Sequence, residues 1–244
     1  MRIEQTHSFL LDLARSAGRG DLGVAAFQRP YVWTKADVEA YFASILKGWP
    51  TGSFLIWDTD GLEDAERLSR GRLGPIPTKP DAPHLLLDGQ NRLATLAWAT
   101  ADGLSDGPTW SSAESSTWLD GSVLAIDVAE RSLVFTDAES ASRSLMLPFS
   151  QVARPLMGGR MDFEAIAALG DRGATNEDID WVFDRLPNTF RSAKTVVTTI
   201  SRATIDEAKE AFLNICRVGQ PMSADDFDRA MAWGPAAAAP GIGS

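Results

Sequence analysis

Residues 34 to 48 carry the clearest helical period in the chain, with Val38, Tyr41, Phe42, Ile45 and Leu46 forming one apolar face. Thr34 is a good N-cap with Asp37 at N3, Trp33 and Val38 occupy the two positions of a hydrophobic staple, and Gly48 ends the pattern. Upstream, Leu10, Leu13, Ala14 and Ala17 predict a helix over residues 3–17, stopped by Gly18 and Gly20. Residues 23–28 read as a short extended run, and Pro30 forces Arg29 out of helical geometry onto a turn. Pro50 and Gly52 turn the chain into an apolar run, Ser53 to Trp57, that predicts a buried strand.

Residues 58–83 lack a sustained period and read as a long connection. His84 to Asp88 then form a short apolar strand, and Leu93, Leu96 and Ala97 open a helical period directly after it. After a loop over 101–121, residues 123–128 and 133–135 predict an antiparallel pair, with 145–149 as a third strand. From Thr175, Ile179, Val182, Phe183 and Leu186 share a helical face, with Pro187 as the stop. Residues 196–200 are a β-branched strand, and Thr204 with Glu207 caps a helix through Arg217, closed by Gly219. Ser223 and Asp226, flanked by Met222 and Phe227, predict a last short helix, and the Ala, Pro and Gly of residues 234–244 predict a disordered tail. These elements make an α+β fold: a small mixed sheet with capped helices around it, and a mostly helical part after residue 150.

Composition narrows the chemistry. The 44% hydrophobic content over 244 residues is enough for one sizeable core or two small ones. Charged residues interrupt the N-terminal stretch, and no later run is apolar enough to span a bilayer, so a cytoplasmic protein without a membrane segment is expected. One cysteine, Cys216, and two histidines, His7 and His84, exclude an intramolecular disulfide, a cysteine-based zinc site and a His-Asn-His nuclease. Hydrolytic chemistry here falls to carboxylates, amides and arginines. The net charge of −10 repels duplex DNA, so a nucleic-acid role needs a local basic patch or a partner.

The polar run Asp88-Gly89-Gln90-Asn91-Arg92 occupies the corner between the 84–88 strand and the following helix. Free backbone N–H groups at the positive end of a helix make an anion site, and Gly89 lets the backbone approach a ligand closely. Arg92 in the first turn is electrostatically misplaced unless an acid or a bound anion compensates it. Two readings stand: Arg92 pairs with Asp88 and fixes the corner, or its guanidinium fork takes a phosphate. Arg29 carries the same ambiguity, since an arginine before a proline is commonly a solvated charge.

Three segments in order resemble the N-terminal domain of GmrSD-type modification-dependent restriction enzymes. They are Phe27 to Trp33, with Gln28-Arg29-Pro30; Lys47 to Phe54, with Gly48-Trp49-Pro50-Thr51-Gly52; and Leu86 to Arg92. Asn214, Arg217 and Gly219 resemble a degenerate form of that family's later motif, and Asn91 stands where the family usually has a second glutamine. The resemblance implies a ParB/sulfiredoxin-like nucleotide-binding domain over residues 1–150, a mainly helical extension over 151–233 and the tail over 234–244. It further implies binding, and hydrolysis, of a nucleoside triphosphate with Mg2+ by a regulatory subunit of a DNA-restriction or phage-defence system. The family's C-terminal His-Asn-His nuclease has no counterpart here, so a separate nuclease subunit or domain is expected, with DNA reached through that partner and a homo-oligomer allowed.

On this resemblance Arg29 and Arg92 bind the β and γ phosphates. Asp88 orients Arg92, holds Mg2+ through water or positions the attacking water, and Gln90 positions water. Gln28, Ser53, Gly89, Asn91, Asn214 and Arg217 contact the nucleotide. Tyr31 and Trp33 are candidates for stacking on a base, although the staple assigns Trp33 to the core. Arg67, Arg70 and Arg72 form either a DNA-contacting patch or a solvated loop. Two other functions remain open: a non-catalytic nucleotide- or DNA-binding module that restrains a nuclease, and a ParB-like domain that nicks DNA itself.

Overall fold

Phe42, Phe149 and Phe190 sit in mutual tilted contact, with ring centroids 5.5 to 6.0 Å apart, and join widely separated parts of the sequence into one core. The computed structural model describes residues 1–28, 31–62, 68–79, 81–100, 122–143, 145–160 and 162–217. The chain divides into two compact units, Met1–Ala208 and Lys209–Ser244.

In the first unit a five-stranded mixed sheet contains β1 (Arg2–Phe9), β2 (Leu22–Val24), β3 (Phe54–Asp58), β6 (His84–Asp88) and β10 (Lys194–Ser201), in the order β1-β10-β3-β6-β2. Between β3 and β6, a hairpin of β4 (Arg72–Leu73) and β5 (Ile76–Pro77) interrupts the long connection. A second, antiparallel sheet has the order β8-β7-β9, from β7 (Val123–Asp127), β8 (Ser132–Thr136) and β9 (Met146–Pro148). Among the described residues the helices of this unit are α1 (Leu10–Gly18), α2 (Lys35–Leu46), α3 (Gln90–Thr100), α4 (Ala138–Arg143), α5 (Phe149–Leu156), α6 (Phe163–Asp171), α7 (Asn176–Asp180) and α8 (Leu186–Ser192). The last helix among the described residues, α9 (Ile205–Arg217), begins here and runs into the second unit. The fold is α+β, as the pattern predicts, and among the described residues no helix is long and apolar enough to cross a membrane.

Several local signals act as expected. The Thr34 hydroxyl accepts from the Asp37 N–H while the Asp37 carboxylate accepts from the Thr34 N–H, a complete capping box. Thr204 and Glu207 cap α9 in the same reciprocal way. The 123–128, 133–135 and 145–149 segments form the predicted three strands.

Two expectations change. Residues 2–9 are a strand, not the start of a helix: the helically spaced Leu10, Leu13, Ala14 and Ala17 all fall inside α1, whereas Gln5, Thr6 and Ser8 pair with β10 from Arg2↔Ser201 to Phe9↔Lys194. Pro187 is not a stop, because a π-helical turn over Trp181–Arg185 widens the helix just before it and the chain stays helical to Ser192. Strand β10 lies between β1 and β3, so the sheet draws on chain from both sides of residue 150. The expected 223–227 helix and the 234–244 tail lie outside the described residues.

Candidate active site at one edge of the mixed sheet

Strand directions fix which loops meet. β6 runs parallel to β2 and antiparallel to β3, and β3 runs parallel to β10. The ends of β2 and β6 and the beginnings of β3 and β10 therefore share one edge of the sheet. That edge carries Gln28 after β2, the Asp88 corner after β6, and the Trp49 to Ser53 loop before β3.

Arg92 is the hub of this edge. Its Nη1 donates to the Thr51 carbonyl at 2.8 Å and its Nη2 to Asp88 Oδ2 at 3.1 Å, while the guanidinium lies 5.0 Å from the centroid of the Phe54 ring. The Arg92 side chain is 18% exposed and that of Asp88 44%. The structure thus shows the corner-fixing pair, and it also shows a guanidinium fixed in place beside the first turn of α3. That turn holds no acidic residue, so the dipole and Arg92 add positive charge that one half-exposed carboxylate offsets.

Two glycines make room for this arrangement. At Gly52 (φ +84°) a Cβ would stand 2.0 Å from Arg92 Nη1, and at Gly89 (φ +92°) it would stand 2.4 Å from Phe54 Cδ1. The Thr195 hydroxyl at the start of β10 donates to the Gly52 carbonyl at 2.7 Å and pins the entry loop of β3. Thr51, Gly52 and Thr195 were missed as site residues in the sequence. Thr51 and Gly52 stand there only within the second segment of the resemblance, Gly52 also as a turn, and nothing local marks Thr195, whose partner lies 143 residues away.

Gln28 is 7% exposed and its Nε2 donates to the Leu87 carbonyl at 2.6 Å, which ties the Gln28 loop to β6 one residue before Asp88. The same loop is held from outside, because Arg70 Nη1 donates to the Gln28 carbonyl and residues 68–70 zip onto residues 24–26 through Ala26 N–H to Leu68 O (2.7 Å) and Arg70 N–H to Val24 O (2.9 Å). Arg70 therefore has a structural partner, Arg72 Nη2 donates to the Pro75 carbonyl at 3.3 Å, and Arg67 lies outside the described residues.

Asn91 is 7% exposed and accepts from the Val32 N–H at 3.4 Å. Tyr31 shares a 2.8 Å hydrogen bond with the Thr95 hydroxyl, and burial pushes its phenol up to about 12. Trp33 packs on the core, 5.3 Å from the Tyr41 ring. Burial raises the Tyr41 phenol too, against the opposing pull of the Arg92 charge.

The edge thus brings Gln28, Ser53, Asp88, Gly89, Gln90, Asn91 and Arg92 together. Ser53 is exposed and Gln90, the first residue of α3, is half-buried. Arg29 lies outside the described residues. Asn214 is exposed on α9 in the second unit, and Arg217 ends that helix, its side chain outside the described residues.

Comparison with known proteins adds a family to this geometry. A protein of Methanocaldococcus jannaschii described as uncharacterized is 33% identical over 108 residues, a match that takes in 41% of this chain and 18% of the relative. The chain therefore spans less than a fifth of that relative's length. Residues 10–230 match the family described as the GmrSD restriction endonuclease, N-terminal domain, and with the match running through nearly the whole sequence, the chain belongs to that family of restriction-system components.

Proposed function

We propose that the Asp88–Arg92 corner holds the phosphates of a nucleoside triphosphate, and that the chain works as a nucleotide-dependent regulatory module of a DNA-restriction system. The observation that carries this reading is the pairing of the α3 N-terminus, which has no acid in its first turn, with a guanidinium held in place by Thr51 and Asp88. A phosphate chain at this corner meets the backbone N–H groups after Gly89, the Arg92 fork and, by the family resemblance, Arg29. Gln28 and Asn91, buried and bonded to Leu87 and Val32, set the shape of the two loops, and exposed Ser53 stands at the rim.

Among the described residues no three carboxylate, cysteine or histidine side chains group around a common point, whereas Asp88 offers a half-exposed carboxylate at the phosphate corner. That donor set fits Mg2+ carried mainly by phosphate oxygens and water, with Asp88 as its protein anchor. Bound there, Mg2+ supplies neutralisation of charge on the phosphate oxygens. Gln90 orients water toward the terminal phosphate, and Arg92 stabilises the charge that develops there. DNA is reached through a partner nuclease, in keeping with the net charge of −10.

Phosphate release from each of the four ribonucleoside triphosphates with Mg2+, measured for the parent, Asp88→Ala and Arg92→Ala, tests the hydrolytic part. Release by the parent that both variants lose supports it. Binding without release reduces the module to a sensor, and release that survives both changes removes the corner from the chemistry.

A further inference from the structure

A cavity of about 450 Å3 opens on the same sheet edge, beside the corner motif, and Trp49, Thr51, Thr189, Ser192 and Lys194 are among the residues that line it. Thr51 is its shared wall: its carbonyl holds Arg92, and its buried hydroxyl has no hydrogen-bond partner among the described residues. Trp49 is 60% exposed, although the neighbouring Phe54 to Trp57 are all buried, and the Lys47 ammonium lies 4.7 Å from its ring centroid. A large indole left in solvent beside a cavity, in a chain with a full core, offers a surface for a planar ligand. Lys47 and Lys194 make this rim cationic within an acidic protein.

The spacing identifies the ligand's other end. Asp88 at the end of β6 and Thr198 of β10 both pair with Leu55, so Lys194 at the start of β10 lies two strands across and four residues along from Asp88, roughly 16 Å away, whereas Trp49 lies only two residues, at most about 7 Å of chain, from the Thr51 that holds Arg92. A triphosphate and ribose span the shorter of these distances, and the Thr51–Gly52 loop touches both Arg92 and Thr195. We propose that the nucleobase of the nucleoside triphosphate sits in the Trp49 cavity, stacked on the indole, while its phosphates lie at the Asp88–Arg92 corner. This rests on the phosphate reading above and adds a base subsite to it. The hydroxyls of Thr189 and Ser192, which donate to the Arg185 and Thr189 carbonyls, are left as acceptors for the base edge, and stacking dominates because every base has a π face.

The test compares ATP, GTP, CTP and UTP with inorganic tripolyphosphate, each titrated with Mg2+ into the full chain by calorimetry, for the parent, Trp49→Ala, Trp49→Phe and Arg92→Ala. Trp49 is largely exposed, so its variants keep the fold, which circular dichroism verifies. Trp49→Ala lowers nucleotide affinity roughly ten-fold or more and leaves tripolyphosphate affinity unchanged, Trp49→Phe restores most of the loss, and Arg92→Ala weakens both ligands. Equal affinity of Trp49→Ala and the parent for every nucleotide overturns the base subsite and leaves the phosphate reading standing. A parallel loss of nucleotide and tripolyphosphate in Trp49→Ala overturns it as well, because the indole would then act on the phosphates. A parent that binds none of these ligands removes the phosphate reading and the subsite with it.

Discussion

Gly52 and Arg92 touch so closely that the space a Cβ would need on Gly52 is taken by the Arg92 Nη1 atom, 2.0 Å from the ideal position. The obstacle is the far end of a flexible side chain, so Gly52→Ala is accommodated by swinging Arg92 out of its bonds to Thr51 and Asp88. The left-handed backbone adds strain for alanine, and the total cost is about 1–2 kcal/mol. The expected outcome is a folded variant with slightly lower denaturation midpoint and a large loss of triphosphate affinity. A variant that keeps full affinity would show that the Arg92 position is dispensable.

Gly89→Ala is predicted to cost more. Its Cβ would meet the buried Phe54 ring at 2.4 and 2.8 Å, and that ring is 1% exposed with nowhere to move. Overpacking and left-handed strain together suggest about 2–4 kcal/mol. Chemical denaturation of the two glycine variants side by side checks the order, and Gly89→Ala at parental stability would contradict the packing described at the corner.

Thr195 acts on the site through Gly52. Thr195→Val keeps the β-branched shape in β10 and removes the donor to the Gly52 carbonyl, at a cost of about 1–2 kcal/mol. Thr195→Ser restores the bond. Triphosphate affinity should fall in the valine variant and return in the serine variant. Equal affinities in all three would detach β10 from the site.

That contact also shows where the sequence was readable and where it was not. The Asp88 corner was legible because a five-residue apolar strand ends where a helical period begins, and both signals are local. The Thr34 cap was legible for the same reason. The holders of the corner were not: Thr51 binds Arg92 across 41 residues, Arg70 reaches Gln28 across 42, and Thr195 reaches Gly52 across 143. Short polar residues in turns and strands carry no periodic signature of such pairings. β1 was misread because its pairing with β10, not its own spacing, decides its geometry.

The two tyrosines give a pH test. The Tyr31 phenol is raised to about 12 and that of Tyr41 is also raised, both chiefly by burial. A group whose folded pKa is raised contributes stability that is fully present below its unfolded value near 10 and lost as pH climbs toward the folded value. Absorbance of tyrosinate should therefore stay near zero through pH 10.5 and appear only with alkaline unfolding. Half-ionisation of either phenol near pH 10 in the folded protein would contradict the burial of Tyr31 under α3 and of Tyr41 in the core.

At the acid end, Asp37 is held below the usual carboxylate range, first by its backbone hydrogen bond from Thr34 and then by the Thr34 hydroxyl. A depressed folded pKa contributes stability above the unfolded value near 3.8, lost as pH falls below it. Thr34→Ala should remove about 1 kcal/mol at pH 7 and flatten that part of the acid limb. Parent and variant with identical acid limbs would count against the capping box.

The most direct test of the central claim is a calorimetric titration of a non-hydrolysable nucleoside triphosphate with Mg2+ into the parent, Arg92→Lys and Arg92→Ala. The account predicts binding by the parent, a loss of roughly ten-fold or more in the lysine variant, which lacks the planar fork, and a greater loss in the alanine variant, with the fold intact in all three. Parental affinity in Arg92→Ala, or no binding by the parent, would contradict it.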